Sequence, residues 1–180
     1  RKAQEIFDGL PIQNVESWNA IIAGHAEHGA FDEALKCFRK MQDEEINPNV
    51  ITYVCIFKAC GSMGSLKVGQ EMHSEFRKQG LLKGNVALGT AVVDMYAKCG
   101  VMEKAQEMFD ELPIRSLALW TALMSANAQL GKAKRVFYLF TKMMAEGITP
   151  DLVTILVVLT SCNHAGLVEE GRMVFNNMGT

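Results

Sequence analysis

The sequence predicts an all-α solenoid of stacked helix-turn-helix hairpins, and three observations predict it. Shifted against itself by 102 residues, the chain aligns residues 1–78 with 103–180 at 23 identical positions, where roughly five are expected from average residue usage. Apolar stretches at helical spacing recur, as in "WNAIIAGHAEHG", "FDEALKCFRKM", "LKVGQEMHSEF" and "EKAQEMFDEL", each about 11–14 residues long and stopped at or near Gly, Pro or Asn. Strand-like alternation of apolar and polar residues is absent.

The elements follow in order from the repeat. The identities fall on structural positions: Lys2/Lys104, Trp18/Trp120, Gly29/Gly131, Phe38/Phe140, Met41/Met143, Pro48/Pro150, Cys60/Cys162 and Gly69/Gly171. The period divides at its turn signals into hairpins of 35, 36 and 31 residues, at 15–49, 50–85 and 86–116, after which the cycle restarts at 117–151 and 152–180. Residues 1–14 are the tail of an earlier hairpin. One such hairpin cannot bury its own apolar face, so neighbours stack and their first helices line a common surface.

Composition sets outer bounds. With 49% hydrophobic residues and only 4 Pro against 15 Gly, the 180 residues are expected to fold around a substantial core. A net charge of −2 and a pI near 6.1 give no global attraction to nucleic acid, so any such role must rest on local features. Five cysteines, an odd number without a dense framework, favour free thiols in a reducing compartment. No apolar run approaches the ~20 residues that span a bilayer. The chain opens and closes within helical patterns, so it reads as an excerpt whose targeting segment lies elsewhere.

Candidate chemistry is sparse. "HSE" at His73 mimics the H-x-E of zinc-dependent deaminases, but the P-C-x-x-C that completes the signature is missing. His25 and His28 stand three apart without a third ligand. Cys55 and Cys60 are five apart and form no CxxC pair, and Phe38, Met41, Phe109, Phe140 and Met143 fall at core spacing on second helices. The expectation is a protein that is not an enzyme, with no metal, cofactor or small-molecule substrate.

The pattern "V-x-x-W/Y-N/T-A", followed by Gly, "EAL-x-x-F-x-x-M" and "I-x-P-N/D", resembles the pentatricopeptide repeat, and the alternation of 35, 36 and 31 residues resembles its plant P-L-S subclass. "NVESWNAIIAGHAEHGAFDEALKCFRKMQDEEINPN" is similar to a P repeat, "VITYVCIFKACGSMGSLKVGQEMHSEFRKQG" to an L repeat and "VALGTAVVDMYAKCGVMEKAQEMFDELP" to an S repeat. Residues 117–151 then read as a second P repeat, 152–180 as a partial L repeat and 1–14 as a partial S repeat. The rival tetratricopeptide repeat has a uniform period of ~34 and a W-x-x-L-G-x-x-Y start, and neither occurs here.

That resemblance implies a right-handed superhelix that binds single-stranded RNA, one base per repeat, running parallel to the RNA from 5′ to 3′. It implies base reading by the fifth and last residues of each repeat. The pairs are Asn19 with Asn49 for a pyrimidine, Val54 with Asn85, Thr90 with Ser116 leaning to a purine, and Thr121 with Asp151 for guanine. Asn14 closes the partial S repeat and Leu156 is the fifth residue of the last one. At the second position Ile51 and Val153 are suited to wedge between bases, whereas Glu16, Ala87 and Ala118 are not. At the thirteenth, Lys98 alone offers a phosphate-facing lysine, against Glu27, Ser62, Gln129 and His164 elsewhere. The implied function is the recognition segment of a C-to-U RNA editing factor in a mitochondrion or chloroplast. Its L repeats would bind multiple organellar RNA editing factor proteins. The alternatives are an RNA splicing or stability factor, and a protein-interaction scaffold built on the L-repeat surface around Val54 and Leu156.

Overall fold

The computed structural model describes residues 5, 7–78, 80 and 85–176. The predicted repeats therefore extend across residues 1–4, 6, 79, 81–84 and 177–180, which lie outside the described residues. Ten helices occur among those described: α1 (Val15–Glu27), α2 (Phe31–Asp43), α3 (Val50–Met63), α4 (Leu66–Lys78), α5 (Val86–Lys98), α6 (Met102–Glu111), α7 (Leu117–Gln129), α8 (Ala133–Ala145), α9 (Leu152–Ala165) and α10 (Val168–Asn176). No strand occurs among the described residues, and none of the helices is long and apolar enough to cross a membrane.

The odd-numbered helices stack in one continuous row, α1 on α3, α3 on α5, α5 on α7 and α7 on α9. Each of α2, α4, α6 and α8 packs against its own hairpin partner and the first helix of the next hairpin, forming a second row, and α10 packs against α9. This arrangement explains a contrast in the sequence. A helix of the second row buries one stripe, as α2 does with Ala34, Leu35, Phe38 and Met41 at spacings of one, three and three. A helix inside the first row is covered from several sides, so α3 buries Tyr53, Ile56, Phe57, Ala59, Cys60 and Gly61 and is apolar almost all round. Gly61 is a close-approach point, because a Cβ there would lie 3.1 Å from the Cα of Met95 on α5.

The duplicated tryptophans have duplicated partners. Trp18 meets Phe7 edge-on at 4.5 Å between ring centroids, and Trp120 meets Phe109 edge-on at 4.6 Å, 102 residues later. Both indoles are almost fully buried, yet neither indole N–H has a hydrogen-bond partner among the described residues. Shape and ring geometry therefore hold them, at about 0.5–1.5 kcal/mol per aromatic pair beyond area burial. Gly64 and Gly166 end α3 and α9 with φ of 66° and 67°, a left-handed conformation that a side chain would strain.

Candidate nucleic-acid interface

The residues predicted to close each repeat share one local duty. Asn14, Asn49, Asn85, Ser116 and Asp151 are the N-caps of α1, α3, α5, α7 and α9, and each side-chain oxygen accepts from a backbone N–H of the first turn. Asn14 forms a reciprocal capping box with Ser17. Asn85 accepts from Leu88 N at 3.0 Å, and Ser116 from Leu119 N at 3.3 Å.

Two of the predicted pairs come together as polar stations. Asn19 Nδ2, on the second turn of α1, donates to Asn49 Oδ1 at 3.0 Å, although the residues are 30 apart in sequence. Thr52 Oγ1 donates to Asn19 Oδ1 at 2.6 Å and lies 3.2 Å from Asn49 Oδ1, while the Asn49 N–H donates to Thr52 Oγ1 at 3.1 Å. Asn49 Oδ1 also accepts from the amides of Ile51 and Thr52. The oxygen is therefore saturated, and Asn49 Nδ2 is the group left without a partner among the described residues. A free carboxamide offers both a donor and an acceptor; the cap leaves this one the donor.

The second station is a relay. The Thr121 and Thr154 hydroxyls lie 2.9 Å apart, and Thr154 Oγ1 and N both donate to Asp151 Oδ1, at 2.7 and 2.8 Å. Thr121 Oγ1 also lies 2.9 Å from Leu117 O, and its single proton serves either that carbonyl or Thr154 Oγ1. The two hydrogen bonds from Thr154, backbone first and hydroxyl second, hold the exposed Asp151 carboxyl below its ordinary range, so it is ionised at neutral pH with Oδ2 open. Thr52 and Thr154 are wholly buried, each the third residue of the following predicted repeat, and sequence reasoning did not single them out. Their signal was present, because they are one of the identical pairs at 102-residue spacing.

The other predicted positions differ. Thr90 bonds back to Val86 O at 2.8 Å, and no bond to Ser116 accompanies it among the described residues. Val54 is half-buried against the core. Leu156 is 66% exposed, and Ile51 and Val153 are each 57% exposed. Lys98 Nζ is held 2.7 Å from Asp94 Oδ2, one helical turn away, so the lone candidate phosphate lysine carries its own counter-ion.

His73 and Cys60 are titratable groups packed in the interior. Burial holds the His73 imidazole down to about 4, hydrogen-bonded through Nδ1 to the Tyr96 hydroxyl at 2.7 Å. Burial pushes the Cys60 thiol up to about 12. Among the described residues no group of three or more His, Cys, Asp or Glu is placed to hold a metal ion.

Comparison with known proteins places these features. Three family models match, the PPR repeat family over residues 13–62, PPR repeat over 90–116 and the pentatricopeptide repeat domain over 115–164. Pentatricopeptide repeat-containing protein At4g30700 of Arabidopsis thaliana is 37% identical over 176 residues, covering 98% of this chain and 22% of the relative. The chloroplastic pentatricopeptide repeat-containing protein CRR2 of the same plant is 38% identical over 178 residues, covering 98% of this chain and 27% of the relative. The chain thus spans about a quarter of the length of these relatives. Among solved structures, maize PPR10 in complex with an 18-nt psaJ RNA element superposes with a TM-score of 0.81 at 18% identity, covering 95% of this chain and 26% of that one. The PPR domain of Arabidopsis thaliana protein-only RNase P 1, in complex with tRNA, gives 0.69 at 13% identity, over 87% of this chain and 84% of that one.

Proposed function

The chain belongs to the pentatricopeptide repeat family, and from that premise we propose that it binds single-stranded RNA by sequence, one base per repeat, as the recognition segment of an organellar C-to-U editing factor of the plant P-L-S subclass. The observation that carries the proposal is the pair of stations at Asn19–Asn49 and Thr121–Asp151, where the fifth and last side chains of a P repeat belong to one hydrogen-bonded unit. RNA-bound structures of like fold support it.

Each station offers a different face to a base. With Asn49 Oδ1 saturated, Nδ2 is a donor suited to the O2 and N3 acceptors of cytosine or the carbonyls of uracil. Asp151 Oδ2 is an anionic acceptor suited to the N1–H and N2–H₂ donors of guanine. Ile51 and Val153, exposed and one residue before the bracing threonines, supply apolar contact between neighbouring bases. The readout is 5′-(C/U)-N-(purine)-G-3′. The segment acts in a mitochondrion or chloroplast, and the catalytic step belongs to another part of the protein or to a partner.

The test is a binding titration with short RNAs carrying a pyrimidine and a guanine three positions apart. Thr121→Asn shifts preference at the fourth base from guanine towards uracil, and Asn19→Ala relaxes the choice at the first. If Asn19→Ala and Thr121→Ala leave both affinity and base preference unchanged, the proposal fails. A second reading, a scaffold that binds multiple organellar RNA editing factor proteins through its L repeats, draws on the exposed apolar side chains of Leu152, Val153 and Leu156. A protein complex that survives ribonuclease and is lost in Leu156→Asp supports that reading.

A further inference from the structure

The two stations share a brace and present opposite faces. In each, a wholly buried threonine hydroxyl, of Thr52 or Thr154, is tied to the cap residue three positions before it. Backbone amides fix the direction of the bonds around it, because an N–H can only donate. At the first station the amides of Ile51 and Thr52 both donate to Asn49 Oδ1, at 3.0 and 3.2 Å, so the Asn49 carboxamide cannot invert without setting donor against donor. With Oδ1 held there, Asn19 turns its Nδ2 to it; inverted, Asn19 would set one carbonyl 3.0 Å from another. Asn19 Oδ1 then meets the single proton of Thr52 Oγ1, which lies 2.6 Å from it and 3.2 Å from Asn49 Oδ1.

This chain of bonds leaves donors alone to offer. Asn49 Nδ2 keeps two hydrogens without a partner among the described residues, and Asn19 Nδ2 keeps one. Asn49 Oδ1 already takes three N–H groups, and Asn19 Oδ1 takes the Thr52 hydroxyl in a residue only 7% exposed. At the second station the polarity reverses. The Asp151 carboxylate claims the Thr154 proton at 2.7 Å, and the Thr121 proton goes to Leu117 O or to Thr154 Oγ1, each 2.9 Å away. Lone pairs on Thr121 Oγ1 and Asp151 Oδ2 are what remain for a base there.

The Watson–Crick edges of the bases sort on this polarity. Guanine alone has two adjacent donors, N1–H and N2–H₂, and cytosine alone has two adjacent acceptors, N3 and O2. Uracil sets its N3–H between two carbonyls, so a station that only donates leaves that N–H without a partner. We propose that Thr52 is a positioning residue for base choice: through Asn19 and Asn49 it holds the first station in a donor-only form that selects cytosine over uracil. This choice rests on the RNA-reading function proposed above and narrows it. Thr154 does the same service for the acceptor-only station, so one kind of brace supports two opposite choices.

The test uses the 180-residue chain and a short single-stranded RNA whose first recognised position carries each standard base, 2-pyrimidinone or 3-deazacytosine. The first analogue lacks the N4 amine of cytosine but keeps N3 and O2; the second keeps the amine and loses the N3 acceptor. Cytosine binds about fivefold tighter than uracil, the worth of one net hydrogen bond. On the same protein 2-pyrimidinone binds as cytosine does, and 3-deazacytosine falls to the level of uracil. Thr52→Val strips Asn19 Oδ1 of its donor, making it an open acceptor for the uracil N3–H, and erases the preference for cytosine while guanine is still chosen at the fourth base. Thr52→Ser restores the preference. Thr154→Val has the converse effect, relaxing guanine and sparing cytosine, which a general loss of stability would not do. Equal binding of cytosine and uracil by the wild type, or a 2-pyrimidinone that binds no better than uracil, overturns the donor-only station; if purines are still rejected, the RNA-reading function stands without it. A first position indifferent to every base overturns both. A folded Thr52→Val protein that still prefers cytosine shows that the cap alone orients the pair, and it overturns the role of Thr52.

Discussion

Thr52→Val removes the hydroxyl that ties the first station together. The side chain is wholly buried and valine nearly fills its volume, so little cavity term enters. Two groups lose a partner. Asn19 Oδ1, in a residue only 7% exposed, loses its 2.6 Å donor and becomes a buried acceptor without a bond, at about 1–3 kcal/mol. The Asn49 N–H loses its 3.1 Å acceptor, but it is half-exposed to water and adds only about 0.5–1 kcal/mol. The backbone cap from Thr52 N to Asn49 Oδ1 is retained. The sum is about 2–3 kcal/mol, a fall of about 5–10 °C in melting temperature for a chain of this size. Thermal unfolding followed by circular dichroism measures it, with Thr52→Ser as the companion. Serine keeps the hydroxyl and sacrifices one methyl, about 1 kcal/mol. If Thr52→Val is no more destabilised than Thr52→Ser, the hydroxyl does not brace the station and the argument is refuted. RNA titration gives the functional half: with Asn19 held only through its bond to Asn49, discrimination at the first base relaxes in the valine variant and persists in the serine one.

Two further outcomes follow from packing and burial. Gly61→Ala gains about 1 kcal/mol of helix propensity but sets a Cβ against the backbone of α5, so chemical denaturation shows a net loss of about 1 kcal/mol; an equal or more stable variant refutes the close-approach argument. His73 is kept neutral by burial, reinforced by Arg77 and Lys104 and opposed by Glu111, with a folded value near 4 against 6.5 unfolded. Between those values the unfolded chain binds a proton that the folded chain refuses, so stability is complete above pH 6.5, declines as pH falls towards 4 and then levels off. Comparison of wild type with His73→Phe over this range shows the difference between them narrowing at acid pH, and parallel curves would refute the assignment.

The sequence made the helices legible because their signals are local or repeated: glycine stops such as Gly64 and Gly166, cap residues such as Asn49 and Asp151, and Trp18 and Trp120 recurring with Phe7 and Phe109. It nominated Asn19, Asn49, Thr121 and Asp151 through resemblance, and the structure brings each pair into one station. Thr52 and Thr154 stayed hidden because they act across 33 residues, and only the register between adjacent first helices sets their hydroxyls against Asn19 and Thr121. The pairing of Lys98 with Asp94 is written in an i, i+4 spacing, a helix-neighbour signal that the position of Lys98 within the repeat does not carry.

The caps also explain why the last position draws on a small alphabet. Asn, Asp and Ser are among the best N-caps, and an aliphatic residue there would cost about 1 kcal/mol at the start of a first-row helix. Capping consumes one oxygen and leaves a remainder, and that remainder is what a base can meet. Asparagine leaves an amide donor, as at Asn49, and aspartate an anionic oxygen, as at Asp151. Serine has a single oxygen, so Ser116, once it accepts from Leu119 N, retains its hydroxyl proton and one lone pair on that same atom but no second arm. On the proposed function, the Thr90–Ser116 repeat is then the weakest discriminator of the three whose fifth residue is polar. Ser116→Asp would give it the remainder that Asp151 has, strengthening the choice of guanine at that base while preserving the cap of α7, an outcome that base-substituted RNAs and a melting curve test together.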